Sequence, residues 1–200
     1  LADGAIGFDV AGHAPALPLV VDPVLAFSAR LGTGGFDYAS GMVVDETGAV
    51  VVAATVGTSE FPTTPGPLGT SREGSDDVVL LKLDPAGTSL VFSAYVGGTG
   101  DDDAYDVALD ADGNVYAVGV SSSFDFPTPN GFDTVNGGSP ISYDAFAVKL
   151  DRSGAVLRYG TYLGGSSGET GYGIAVDGAG HAYVIGTTAS FALPTVSASQ

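Results

Sequence analysis

The sequence predicts an all-β chain built from a repeated unit of four antiparallel strands, and three observations carry the prediction. The first is internal repetition. With residues 90–128 as the reference, Phe27, Leu31, Gly32, Asp37, Asp45, Gly48, Phe61 and Pro62 fall in register 65 positions earlier. Tyr159, Leu163, Gly164, Glu169, Asp177, Gly180, Leu193 and Pro194 fall in register 67 positions later. Repetition on this scale signals a propeller, a solenoid or an array. The second is one turn type used throughout: Asp-x-x-Gly begins at Asp45, Asp84, Asp110, Asp151 and Asp177. The third is composition. With 31 Gly, 11 Pro and an apolar fraction of 44%, the 200 residues carry many turns and enough apolar mass for a core. No window has helical period.

Taken in order, residues 1–24 precede the first copy and read as two short strands, 6–10 and 17–21, joined by a loop that holds His13. No second His or Cys lies near His13, so it reads as a loop residue. The repeats follow at about 25–89, 90–156 and, in part, 157–200. Within them each Asp-x-x-Gly joins two strand-like runs. Asp suits the first position of a type I turn, and Gly the last, where a positive φ is tolerated. The flanking runs are 43 with 50–52, 79–83 with 89–92, 107–109 with 115–118, 146–150 with 156–159, and 174–176 with 183–185. The turns are spaced 39, 26, 41 and 26 residues apart, so two kinds of hairpin alternate.

Four antiparallel strands in about 66 residues is the content of a propeller blade. A parallel β-helix has much shorter coils, and a lone sandwich does not repeat itself. A blade usually takes ~40–50 residues. The surplus lies between hairpins, in 63–76 and 128–143, which are rich in Pro, Gly, Ser and Thr. A partial third blade implies a piece of a larger ring, of about six to eight blades. The chain opens on Leu1 and not Met, and is expected to be an excerpt. Alone, it is expected to associate through exposed strand edges and blade faces.

These residues resemble a known family. The run Leu90-Val91-Phe92-Ser93-Ala94-Tyr95-Val96-Gly97-Gly98, then Asp102, Val107 to Asp110, Gly113 to Tyr116, Phe126-Pro127-Thr128 and Asp144 to Asp151, is similar to the bacterial β-propeller repeat called SBBP. The third copy, with Tyr159 to Gly165 and Gly173 to Asp177, looks closer still. The first departs most, with Arg30 where the others have Tyr95 and Tyr162. Upstream, Pro18 to Pro23 resembles the end of a domain that often precedes such repeats. The resemblance implies a secreted or cell-surface bacterial protein with no shared catalytic residues.

Charge bounds the partners. Six basic against 23 acidic residues give a net charge of −17, which excludes nucleic acid and disfavours anionic membrane surfaces. No apolar run approaches the ~18 residues of a membrane span. No export signal is visible at the N-terminus. Zero cysteines exclude disulfides and thiolate metal sites.

Several motifs invite chemistry. Gly164-Gly165-Ser166-Ser167-Gly168 matches the G-x-S-x-G nucleophile elbow, but that motif needs a helix after it and a strand follows here. Asp101, Asp102, Asp103 and Asp106 are the candidate metal ligands, for calcium, the one cofactor the chain suggests. Asp110-Ala111-Asp112-Gly113 looks like an EF-hand start with its Gly too early. His181 stands at a variable turn position. Lys82 and Lys149, recurring in one strand, read as cross-strand or turn-side ion pairs. The recurring tyrosines read as inter-blade packing or a sugar-stacking platform.

The leading reading is a non-catalytic structural and binding module that recognises partners through its inter-hairpin loops. Asn130, Phe132, Asn136 and Ile141 are the candidate contacts for a glycan or protein, and further blades of the same chain are the other partner. The alternative is part of a propeller-type carbohydrate-active enzyme, a lyase or glycosidase. Two His and four Arg, scattered between copies, weigh against it.

Overall fold

The computed structural model describes residues 28–193, apart from 29, 33, 34, 67, 70, 138–141 and 192. The expected strand pair within 1–24 and His13 lie outside these residues. Ten strands form three sheets. β1 (Asp37–Val44), β2 (Val50–Val56), β3 (Asp77–Leu83) and β4 (Leu90–Val96) make the first, paired antiparallel in chain order. β5 (Asp102–Leu109), β6 (Val115–Ser121), β7 (Asp144–Leu150) and β8 (Leu157–Leu163) make the second in the same order. β9 (Glu169–Val176) pairs with β10 (Ala182–Thr188) in the third. These are two four-stranded blades and the first hairpin of another. The sequence unit that begins at Leu90 is offset from the sheets: its first strand, β4, closes one blade, and the next two strands open another.

Burial explains the strand compositions. β2 and β3 read Val-Val-Val-Ala-Ala-Thr-Val and Asp-Val-Val-Leu-Leu-Lys-Leu, without alternation, because a central strand in a stacked blade is covered on both faces. Packing between blades runs through the first strands: β5 touches β1, β2 and β3, and β9 touches β5, β6 and β7. The main core lies between the first two blades. Val51, Ala53, Val78 and Leu80 meet Val107, Val115, Ala117, Phe146, Val148 and Leu150 there. The Phe-Pro after the first hairpin of each four-stranded blade is a core anchor, with Phe61 and Phe126 both buried. The Phe126 ring lies 4.6 Å from Phe146 and 6.0 Å from Tyr162. The Tyr162 hydroxyl donates to the Ser123 carbonyl at 2.6 Å, as Tyr95 does to Thr58 at 2.5 Å.

All five Asp-x-x-Gly turns close as expected. The Gly N–H donates to the Asp carbonyl at 2.9–3.0 Å, and each Gly has a φ between 68° and 86°. The lysines pair across the blade: Lys82 reaches Asp45 at 2.7 Å and Lys149 reaches Asp110 at 3.1 Å, so β3 and β7 are tied to the first hairpin turn of their own sheets. Lys149 also lies over the Tyr116 ring, 4.6 Å from its centroid.

The surplus residues of each blade cover an edge. The connection after β2 turns back along β4, where Thr64 N–H donates to the Ser93 carbonyl and Tyr95 N–H to the Gly69 carbonyl, both at 2.9 Å. The connection after β6 repeats this on β8: Gly160 N–H donates to Pro129 and Tyr162 N–H to Asp133, both at 3.0 Å. An uncovered outer strand would offer the same groups to another chain.

A prediction concerns the turn carboxylate. Burial pushes the Asp110 carboxyl up, but hydrogen bonds from Asn114, then Lys149 and Tyr116, outweigh it and hold the group at about 2. Because the folded value lies below the unfolded one, this stabilisation is complete above about pH 4 and is lost as pH falls toward 2. Asp110→Asn is expected to cost about 2 kcal/mol at pH 7 and much less at pH 2, read from urea melts at each pH.

Candidate functional site

The residues shared by all copies build a joint between successive blades. Each first strand starts with an acid: Asp37, Asp102 or Glu169. Asp102 is buried, and its Oδ2 accepts the Gly98 N–H at 2.7 Å and the Ser123 hydroxyl at 2.8 Å. Glu169 repeats the hook one blade on, accepting Gly165 N–H at 2.8 Å, the Thr188 hydroxyl at 2.6 Å and Ser190 N–H at 3.1 Å. The glycine before each hook must lack a side chain. A methyl at Gly97 would stand 2.8 Å from Asp77 Oδ1 and 2.9 Å from Asp102 Oδ2. One at Gly164 would run into Asp144, and one at Gly32 into Asp37. Burial pushes the Asp77 carboxyl up to about 6; the Asp102 charge adds to this and the Glu73 N–H, donating at 2.7 Å, opposes it. Burial raises Asp102 as well, against hydrogen bonds from Ser121, Gly98 and Ser123.

A second constellation forms on the face where the first strands begin. Each of β1, β5 and β9 carries a β-bulge at the same place, so Ser40, Tyr105 and Tyr172 have no cross-strand partner. Bulges re-aim side chains. Tyr105 and Tyr172 stack with ring centroids 5.9 Å apart and planes 16° from parallel. Tyr38 donates its hydroxyl to Asp103 Oδ1 at 2.7 Å, and burial followed by that bond pushes it up to about 12. Tyr143, at the end of the second inter-hairpin connection, is raised by burial and then by the charges of Asp101, Asp103 and Asp76. Asp76, at the matching end of the first connection, is raised by burial and by Asp103 and Asp101, against Arg72. All three described blades therefore contribute to one surface of tyrosines and carboxylates.

The family described as Beta-propeller repeat, SBBP, matches residues 91–127 and 158–191. Both stretches are SBBP repeats. No curated protein matches the chain. The first SBBP match runs from β4 through the Gly97-Gly98 joint and the β5–β6 hairpin to Phe126-Pro127, so the family signature spans the boundary between two blades. The second covers β8, β9 and β10 in the same way. The divergent first copy lies outside both.

Within this frame the expected site residues separate. Asp102 is a buried hook, and Asp103 faces Tyr38 on the surface. Asp106 accepts its neighbour Val107 N–H and, from the next blade, Ile174 N–H, both at 2.9 Å. Strand alternation sends Asp102 to the side opposite Asp103, so the four expected calcium ligands are divided, with Asp101 and Asp103 both close enough to raise Asp76. Among the described residues no group of three acidic or imidazole side chains is arranged to hold a metal ion.

The four expected ligand contacts also part company. Asn130 holds the edge cover, donating to the Arg158 carbonyl at 2.9 Å from a left-handed backbone with φ 56°. Asn136 is buried and donates to the Ser121 and Ser123 carbonyls at 3.1 and 3.3 Å, so it supports structure and does not face a ligand. Phe132 is 74% exposed above Tyr159, Ala182 and Val184. By the ladder that pairs Asp133 and Gly69 with equivalent tyrosines, Phe132 holds the place of Leu68, which is packed against the next blade beside Pro127 and Leu157. Ile141 lies outside the described residues. Ser166 sits in an irregular bend with β9 after it, which does not form an elbow. His181 caps its own turn, with Nδ1 3.0 Å from Asp177.

Sequence reasoning passed over Asp77, Tyr143 and Ser123. Asp77 and Asp144 stand in register before an apolar run, and that repeat was the available signal. The joint yields a test. Gly97→Ala is expected to cost about 1–3 kcal/mol through overpacking. Gly66→Ala, where a methyl meets nothing within 4 Å, is expected to stay within about 0.5 kcal/mol. Chemical melts of the two variants decide it.

Proposed function

We propose that this chain is a non-catalytic structural and binding module of an exported or cell-surface bacterial protein, and that it binds a neutral glycan on the tyrosine and carboxylate face. The observation that carries the reading is the stacked Tyr105–Tyr172 pair, lifted by two matching bulges beside Tyr38 and Tyr143. Tyrosine rings offer flat apolar faces to the C–H side of a sugar, while Asp76, Asp101 and Asp103 accept hydrogen bonds from its hydroxyls. The ends of both inter-hairpin connections, Asp76 and Tyr143, enter this surface. The net charge of −17 repels uronates and other anionic glycans.

The module extends through blade faces. Met42 of β1 is 68% exposed, whereas Val107, its counterpart in β5, is 5% exposed under the first blade. Val50 is half-buried where its counterpart Val115 is fully buried, while Leu81 and Leu83 are buried like their counterparts Val148 and Leu150. The exposed face of β1 supports packing of a further blade of the same kind there, and the 200-residue chain is expected to associate in light scattering.

The binding test is isothermal titration of the chain with a panel of neutral oligosaccharides and with polygalacturonate. Binding of a neutral member, weakened at least tenfold by Tyr172→Ala and by Tyr143→Ala with unchanged circular dichroism, is the expected result. Binding of the polyuronate, or a neutral ligand indifferent to both substitutions, overturns the assignment.

A further inference from the structure

The blade joint holds a buried pair of carboxylates that neither the glycan face nor the family signature requires to be a pair. Asp77, the first residue of β3, is 1% exposed, and Asp102, the first residue of β5, is 0% exposed. Each commits Oδ2 to a close hydrogen bond, and the Gly74 N–H and the Ser121 hydroxyl also lie near Asp77 and Asp102 and favour their charged forms. Asp77 Oδ2 accepts the Glu73 N–H at 2.7 Å; Asp102 Oδ2 accepts Gly98 N–H at 2.7 Å and the Ser123 hydroxyl at 2.8 Å. The second oxygen of each, Oδ1, has no hydrogen-bond partner among the described residues.

The two side chains approach each other at Gly97, whose absent methyl would lie 2.8 Å from Asp77 Oδ1 and 2.9 Å from Asp102 Oδ2, the oxygen that already serves Gly98 and Ser123. A backbone carbonyl borders the same space. A methyl at Gly74 would collide with the Gly100 carbonyl while standing 3.1 Å from Asp77 Oδ1. Two ionised carboxylates shut away from water repel one another and lose their hydration, so a proton or a cation must join them. Arg72 is near enough for its charge to act on Asp77, but its Nη1 donates to the Ser75 carbonyl and it forms no ion pair with either carboxylate among the described residues.

We propose that Asp77 and Asp102, with the Gly100 carbonyl beside them, form a binding site for one calcium-class divalent cation that locks the first blade to the second. Oxygen donors alone and two negative charges suit a hard ion. An irregular set drawn from two strands and a loop suits calcium, which tolerates uneven geometry, over magnesium, which demands an octahedron. The next joint supplies the contrast. There Glu169 replaces Asp102, and its longer side chain spends both oxygens on Gly165, Thr188 and Ser190. Glu169 spends its oxygens on hydrogen bonds at that joint, so one ion is expected between the described blades.

The test uses the whole chain at pH 7.5, in EDTA and in millimolar calcium chloride. Calcium is expected to raise Tm by about 5 °C. The shift should vanish in Asp77→Asn and Asp102→Asn and persist in Asp112→Asn, a turn control. Tyrosine-sensitised terbium luminescence should titrate to one ion per chain and be displaced by calcium, a readout that serves even where a variant fails to fold. Unchanged melting of the wild type with no terbium signal overturns the proposal. So does a shift that survives Asp77→Asn, which places the ion elsewhere. If lowering the pH to 5 in EDTA stabilises the chain while calcium adds nothing at pH 7.5, the pair takes a proton instead, and the cation site is refuted.

Discussion

Both blade boundaries among the described residues depend on a carboxylate reaching back over a glycine to hold a backbone N–H of the connection that precedes it. Asp102 does this to Gly98, and Glu169 to Gly165. A first strand must leave its neighbour, cross to the inside of the next blade and begin pairing there, and the crossing exposes backbone donors that nothing in either sheet satisfies. A buried acid supplies the acceptor at the one point where both sheets are near. The cost is a charge without water, which is why serine hydroxyls gather around it and why the preceding glycine can carry no side chain.

That constraint propagates outward. With the first strand fixed by its hook, the blade stacks by its flat faces, and every central strand becomes apolar on both sides. Asp106 and Thr55 then tie first strands to neighbouring blades: Ile174 N–H donates to Asp106 at 2.9 Å, and Ala104 N–H to Thr55 at 3.1 Å. The outer strand is left with an open edge, and the long connection after the second strand is spent covering it. Length that looks like a recognition loop in one dimension is largely structural in three. What remains for recognition is the face where first strands start, because bulges there turn tyrosines out of the ladder.

Much of this was legible in the residues. The repeat, the four strands per unit, the Asp-x-x-Gly turns and the Phe-Pro anchors follow from local rules: period-two strands, positive φ at glycine, and a hydrophobic residue returning at a fixed interval. Which face each carboxylate takes was not, since alternation separates Asp102 from Asp103 only once strand register is known. A run of four acids within six positions looks like a cluster and is in fact divided among a joint, a surface and an inter-blade clamp. Phe132 illustrates the same limit. Its exposure invites a ligand, but its ladder position is that of Leu68, a packing residue, and only the paired hydrogen bonds identify the equivalence.

By itself, then, the sequence determined the fold class, the blade content and the turn chemistry, because those depend on neighbours within a few residues or on exact repetition. The tertiary structure alone decided that Asp77 meets Asp102 at Gly97, two carboxylates 25 positions apart in the sequence and on different blades. It also decided that Tyr38, Tyr105, Tyr143 and Tyr172 share one surface. Such meetings are set by how blades stack, through buried area summed over many side chains, and no local pattern encodes that sum.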